Sequence, residues 1–83
     1  MARFEIRLPD LGIDSPATVG MWLAKRGCRV RAGDSVVEVL TGPAMVELPS
    51  PVNGVLVEKL VGEDEPVAVG QVLAVIETED ESL

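Results

Sequence analysis

Apolar and polar positions alternate over short stretches of this chain. Val37 and Val39 flank Glu38, and the pairs Val55, Val57 and Val67, Val69 keep the same two-residue period. That period sends alternate side chains to one face of a strand. Gly and Pro interrupt the pattern at nearly even intervals. The longest stretches free of both, before 71–83, are 1–8, 34–41 and 55–61. Each is shorter than an ordinary helix of about 11–12 residues. Fourteen Val, three Ile and three Thr sit in such stretches, and β-branched residues favour strands. Strands are predicted near 2–8, 17–24, 28–31, 35–41, 44–48, 52–60, 66–69 and 71–77. Turns are predicted at Gly12, Arg26-Gly27, Ala32-Gly33-Asp34, Gly42-Pro43, Asn53-Gly54, Gly62 and Gly70. Short strands at this spacing predict an all-β sandwich or barrel. The domain is expected to span 1–78, and the acidic tail 79–83 to fray.

The chain also repeats itself. A shift of 37 residues brings Leu23 onto Leu60, Val30 onto Val67 and Gly33 onto Gly70. It also brings Val36 onto Leu73, Val39 onto Ile76 and Thr41 onto Thr78. Two similar sheet halves related by a pseudo-two-fold axis would produce this register.

Composition narrows the chemistry. The 83 residues include no His and a single Cys. Imidazole catalysis, His-ligated metal sites, an internal disulfide and a multi-cysteine zinc site are thereby excluded. Fourteen acidic against seven basic side chains give a net charge of −7. A nucleic-acid partner would need clustered Lys and Arg, so none is expected. Phe4 and Trp22 are the two aromatics, too few for a base-stacking platform. No apolar run reaches the length of a membrane span. A cytoplasmic domain without a membrane partner is therefore expected, and with no nucleophile–base pair it is expected not to be an enzyme. The clusters Glu63-Asp64-Glu65 and 77–81 read as solvated edges that oppose aggregation, without calcium-loop spacing. Cys28 lies among Lys25, Arg26, Arg29 and Arg31, and cations favour a thiolate. No base or resolving Cys accompanies it, which points to a passive thiol.

Particular motifs carry a resemblance. Leu8-Pro9-Asp10-Leu11-Gly12 is followed by Ala17-Thr18-Val19 and Trp22-Leu23. Val30-x-Ala32-Gly33-Asp34 and Val37-Glu38-Val39 come next. Then follow Val46-Glu47-Leu48-Pro49-Ser50-Pro51-Val52-x-Gly54-Val55 and Val67-x-Val69-Gly70-Gln71-Val72-Leu73-Ala74-Val75-Ile76. In this order the chain resembles the biotinyl/lipoyl carrier family, specifically the lipoyl domains of 2-oxo acid dehydrogenase dihydrolipoyl acyltransferases. The resemblance implies a flattened β-barrel, a barrel-sandwich hybrid of two four-stranded sheets with pseudo-two-fold symmetry. It also implies that Trp22 packs in the core.

The family carries lipoate or biotin on one Lys at a β-turn tip, eleven residues before the Gly that follows Pro-x-Pro. Here that Gly is Gly54, and the position is Pro43, within Thr41-Gly42-Pro43-Ala44. Thr41 and Ala44 match the family turn, whereas its Asp and Lys are absent. Proline has no side-chain amine, and its backbone nitrogen is already an amide. No covalent cofactor is therefore expected, and neither Lys25 nor Lys59 falls at a matching turn. A trans Gly42–Pro43 bond with an altered turn is expected, given a cis frequency of about 5–6%.

Leu40 and Met45 stand where the family usually has an acid and Thr or Ser. Together with Pro43, and with Leu11 and Ile13 from the neighbouring loop, they would form an apolar docking patch. The alternative is the scattered apolar residues of an ordinary surface. Three functions follow from the resemblance. The first is a non-enzymatic interaction or scaffold module, partnered by a 2-oxo acid dehydrogenase component or a lipoyl-recognising enzyme. The second is a swinging-arm carrier whose Lys was lost at position 43. The third, weaker because 41–44 is a tight turn, is a lipoyl-like part of a membrane-fusion adaptor.

Overall fold

The computed structural model describes residues 2–12, 16–42 and 44–78. Eight strands appear in chain order: β1 (Ala2–Arg7), β2 (Ala17–Trp22), β3 (Arg29–Val30), β4 (Ser35–Thr41), β5 (Ala44–Pro49), β6 (Gly54–Lys59), β7 (Pro66–Val67) and β8 (Val72–Thr78). They form two four-stranded antiparallel sheets. The first runs β1-β8-β6-β3 and the second β5-β4-β2-β7. The fold is all-β, a flattened barrel-sandwich measuring 39 × 22 × 17 Å.

The sequence repeat is a structural repeat. Moving 37 residues along carries β2 onto β6, β3 onto β7 and β4 onto β8, end for end. Hydrogen bonds outside the ladders obey the same shift. The Gly27 N–H donates to Leu56 O, and the Asp64 N–H to Val19 O. The Leu23 N–H donates to Val36 O, and the Leu60 N–H to Leu73 O. Even the sheet orders correspond, with β1 in the place of β5.

Most differences from the predicted strands lie in the turns, where side chains compete for backbone groups. The stretch 28–31 shortens to two residues because the Arg31 N–H donates to Asp34 Oδ2, while the Asp34 N–H donates to Arg31 O. The stretch 66–69 shortens in the same way, the Ala68 N–H donating to Gln71 Oε1. Residues 17–24 end as a strand at Trp22, since the Leu23 and Ala24 N–H groups both turn onto Val36 O. Residues 52–60 begin as a strand only at Gly54, so the predicted turn at Asn53-Gly54 is half strand. Asn53 Oδ1 instead accepts the Ala32 N–H.

The core lies between the sheets. Val19, Val36, Val37 and Val39 of the second sheet and Leu56, Leu73, Ala74 and Ile76 of the first are all fully buried and form one cluster. Trp22 is half-buried at the margin of this core rather than inside it. Its indole N–H donates to Val61 O at 3.0 Å. The Lys59 ammonium stands 5.0 Å from the ring centroid. Lys59 is the repeat mate of Trp22, so this contact joins the two halves.

Candidate functional site

The β4–β5 hairpin carries Thr41-Gly42-Pro43-Ala44, where the resemblance places the attachment position. Its register pairs Val39 with Val46, Leu40 with Met45, and Thr41 with Ala44. The connection is therefore two residues long, Gly42-Pro43. Gly42 adopts φ 59°, a conformation that glycine enters without steric penalty. A two-residue connection makes Thr41–Ala44 a hydrogen-bonded type of pair. Leu40–Met45 and Glu38–Glu47 are then the alternate, closer pairs, with Cα atoms about 4.5 Å apart.

Strand alternation sorts these side chains. Val39, Thr41 and Leu48 point inward and are buried, whereas Leu40 and Met45 point outward, 40% and 57% exposed. Leu40 lies across Gly20 of β2, its Cγ only 3.2 Å from where a Cβ would stand. The Thr41 hydroxyl is buried with no hydrogen-bond partner among the described residues. Beside them Glu38 and Glu47 face one another, and Glu47 accepts the Ser35 hydroxyl at 2.7 Å.

The structure brings together part of the expected patch. Leu40 and Met45 are adjacent and open to solvent. Leu11 is half-buried and packs against the core cluster, so it is less open than Leu40 and Met45. Ile13, Pro43 and the geometry of the Gly42–Pro43 bond lie outside the described residues. Cys28 is exposed, and the Arg26 guanidinium beside it is engaged with Val57 O at 3.1 Å.

The turn residues Thr41, Gly42, Pro43 and Ala44 contain no primary amine. They do not fit amide attachment of lipoate or biotin. An open cavity of about 750 Å³ lies alongside Arg29, Arg31 and Asn53 in the other half of the molecule.

Sequence reading missed the facing acids Glu38 and Glu47, because strand register brings them together. The turn expected at Gly62 falls at Glu63-Asp64, where Asp64 takes φ 69°. Its repeat mate is Gly27, so the shift of 37 residues held the signal.

Comparison with known proteins agrees with this geometry. The Biotin_lipoyl family model, described as biotin-requiring enzyme, matches residues 4–76. The chain belongs to the biotinyl/lipoyl carrier-domain family. This lipoyl-type domain is 38% identical over 80 residues to the dihydrolipoyllysine-residue acetyltransferase component of the pyruvate dehydrogenase complex from Corynebacterium glutamicum, covering 95% of this chain and 12% of that protein. It is 42% identical over 74 residues to the succinyltransferase component of the 2-oxoglutarate dehydrogenase complex from Bartonella vinsonii, covering 88% and 18%. The chain thus spans under a fifth of these relatives. In fold it resembles the lipoyl domain of the 2-oxoglutarate dehydrogenase complex from Azotobacter vinelandii, with a TM-score of 0.70 at 23% identity, covering 88% of this chain and 98% of that one. It also resembles Kluyveromyces lactis urea carboxylase, with a TM-score of 0.78 at 18% identity, covering 93% and 6%.

Proposed function

We propose that this lipoyl-type domain is a non-enzymatic interaction or scaffold module that has lost the family's attachment lysine. The observation carrying this reading is the hairpin tip. Thr41 pairs directly with Ala44, and position 43, eleven residues before Gly54, is proline. Amide transfer needs a primary amine, and proline offers none. The partner would be a 2-oxo acid dehydrogenase component or an enzyme that recognises lipoyl domains, by analogy with the relatives.

A second reading is a carrier domain in which only the lysine was replaced. It is favoured by the retained Thr41, Ala44 and Pro49-Ser50-Pro51 around the tip. A membrane-fusion adaptor fits less well, because strands pair up to residues 41 and 44 and leave no place there for a helical insertion. Intact mass after co-expression with a lipoate ligase and lipoate tests the proposal. No added lipoyl mass is expected, and an added mass overturns the proposal. Lipoylation of Pro43→Lys would favour the second reading, since it shows a recognition surface still intact.

A further inference from the structure

The two halves of the barrel share their backbone but differ in charge. Arg3, Arg7, Arg29 and Lys59 lie on strands of the first sheet. The other three basic residues, Lys25, Arg26 and Arg31, lie in the chain flanking β3. That turn packs on the first sheet, as the Gly27 N–H bond to Leu56 O shows. The strands of the second sheet contain no Lys or Arg, and their charged residues are Glu38 and Glu47. The turn against the second sheet is Glu63-Asp64-Glu65, with Glu63 Oε2 accepting the Trp22 N–H at 3.2 Å. The repeat mate of this acidic turn is the basic turn Arg26-Gly27-Cys28.

The outer faces show the same inversion pair by pair. In the first sheet Arg3 faces Glu77, and the two form an ion pair at 3.2 Å. The corresponding pair of the second sheet is Met45 facing Leu40. Next to it, Glu5 faces Val75 in one half, whereas Glu47 faces Glu38 in the other. The fold therefore accepts a charged pair where it carries Leu40 and Met45, so an apolar pair is not a requirement of folding. Like charges placed directly opposite destabilise a sheet, and no cation of the second sheet's strands offsets Glu38 and Glu47.

We infer that the outer edge of β5 is a docking site for an extended segment of another protein carrying an apolar residue and a cation two positions apart. β5 is the edge of its sheet, with unpaired backbone groups that can accept another strand. The hydrogen-bonded pairing of 41 with 44 turns the backbone groups of Met45 and Glu47 away from β4. Pro49 lacks an N–H and limits the edge to this short length. Side chains of an added strand repeat on one face every two residues. One of them would cover Met45 and Leu40, and the next, if cationic, would neutralise Glu47 and Glu38. A second copy of this domain fits less well, because β5 against β5 would bring four glutamates together.

This inference deepens the reading of the domain as an interaction module, and it is tested separately from lipoylation. The ¹⁵N-labelled domain is titrated with an acetylated peptide of repeating Val-Thr-Lys-Thr. Control peptides carry Glu for Lys or Ser for Val. Saturable shifts confined to β4, β5 and the facing β2 are expected. Leu40→Ser with Met45→Ser, and Glu38→Gln with Glu47→Gln, should each weaken binding by roughly tenfold, as loss of one interface anchor does. Arg3→Gln with Arg7→Gln should leave it unchanged, and unaltered core resonances establish that each variant folds. Equal binding of the Ser-for-Val peptide, shifts centred on 63–65 or on the first sheet, or no saturable shift would each overturn the proposal. So would concentration-dependent shifts at β5 in the domain alone, which would make a second copy the occupant. An added lipoyl mass would sink the function proposed above but leave this titration interpretable.

Discussion

Replacing Gly54 with alanine tests how closely the strands of the first sheet approach one another. Gly54 opens β6 and pairs with Val30. Its φ lies outside the left-handed region, so alanine meets no backbone strain there. Space is the obstacle. An added Cβ would overlap the carbonyl oxygen of Glu77 and stand 2.9 Å from Ile76 Cγ2 and 3.0 Å from the Glu77 carbonyl carbon. These atoms belong to β8, a central strand, and Ile76 is fully buried, so neither can swing aside.

Overpacking of this kind costs about 1–3 kcal/mol, and contact with backbone places Gly54→Ala at the upper end. Alanine recovers about 0.4–1 kcal/mol by restricting the unfolded chain. The net loss is then about 2 kcal/mol. For a domain of this size that is a fall in Tm of roughly 8–16 °C, at about 4–8 °C per kcal/mol. It is a large part of a total stability of about 4–12 kcal/mol. Urea and thermal unfolding followed by circular dichroism, with Trp22 fluorescence as a second probe, measure it. Gly20→Ala is the matched control. Its Cβ would meet Leu40 Cγ at 3.2 Å, an exposed side chain that can move, so a change within about 0.5 kcal/mol is expected. If Gly54→Ala is as stable as the wild type, or Gly20→Ala is the more damaging, the steric reasoning is refuted.

Leu56→Ala empties a fully buried position between the sheets and should lose about 2–5 kcal/mol, read as an earlier urea midpoint. Trp22→Phe removes the N–H donated to Val61 O and much of the ring beneath Lys59. A loss of about 1–2 kcal/mol is expected in thermal unfolding. Asp64→Gly relieves a left-handed residue at φ 69°, as its mate Gly27 already does. It should raise stability by about 0.5–1 kcal/mol, and a fall in Tm would show that the Asp64 side chain contributes more than its backbone strain removes.

How much of this was legible in the sequence depended on the range of the interaction. The period-two runs and the repeat of Leu23, Val30, Gly33 and Thr41 carried the eight strands and their symmetry, because alternation and turn glycines are local properties. Strand ends were misjudged where Asp34 and Gln71 side chains capture backbone N–H groups, a competition that period alone does not encode. The turn at Gly42-Pro43 was readable from its residue types, whereas its count from Gly54 rested on the family resemblance alone. The partial burial of Leu11 against the core was not legible, because it depends on tertiary packing rather than on local pattern. The facing of Glu38 and Glu47 needed the register of β4 with β5. The inversion of charge between the halves was present in the letters of 25–29 and 62–66, but it acquires meaning only once those segments are seen to occupy equivalent places.

The internal symmetry bears on how the polypeptide is wired. At one end of the barrel β4 passes into β5 through two residues. At the related place in the other half, β8 ends at Thr78 directly opposite Ala2 of β1. Connectivity is thus the main respect in which these two corners differ. A circular permutant opened between 42 and 43, with a short linker from residue 78 to residue 2, would keep every strand ladder described here. Cutting the hairpin in this way would leave β5 at its sheet edge while freeing the tip, and so separate the influence of the turn from that of the edge.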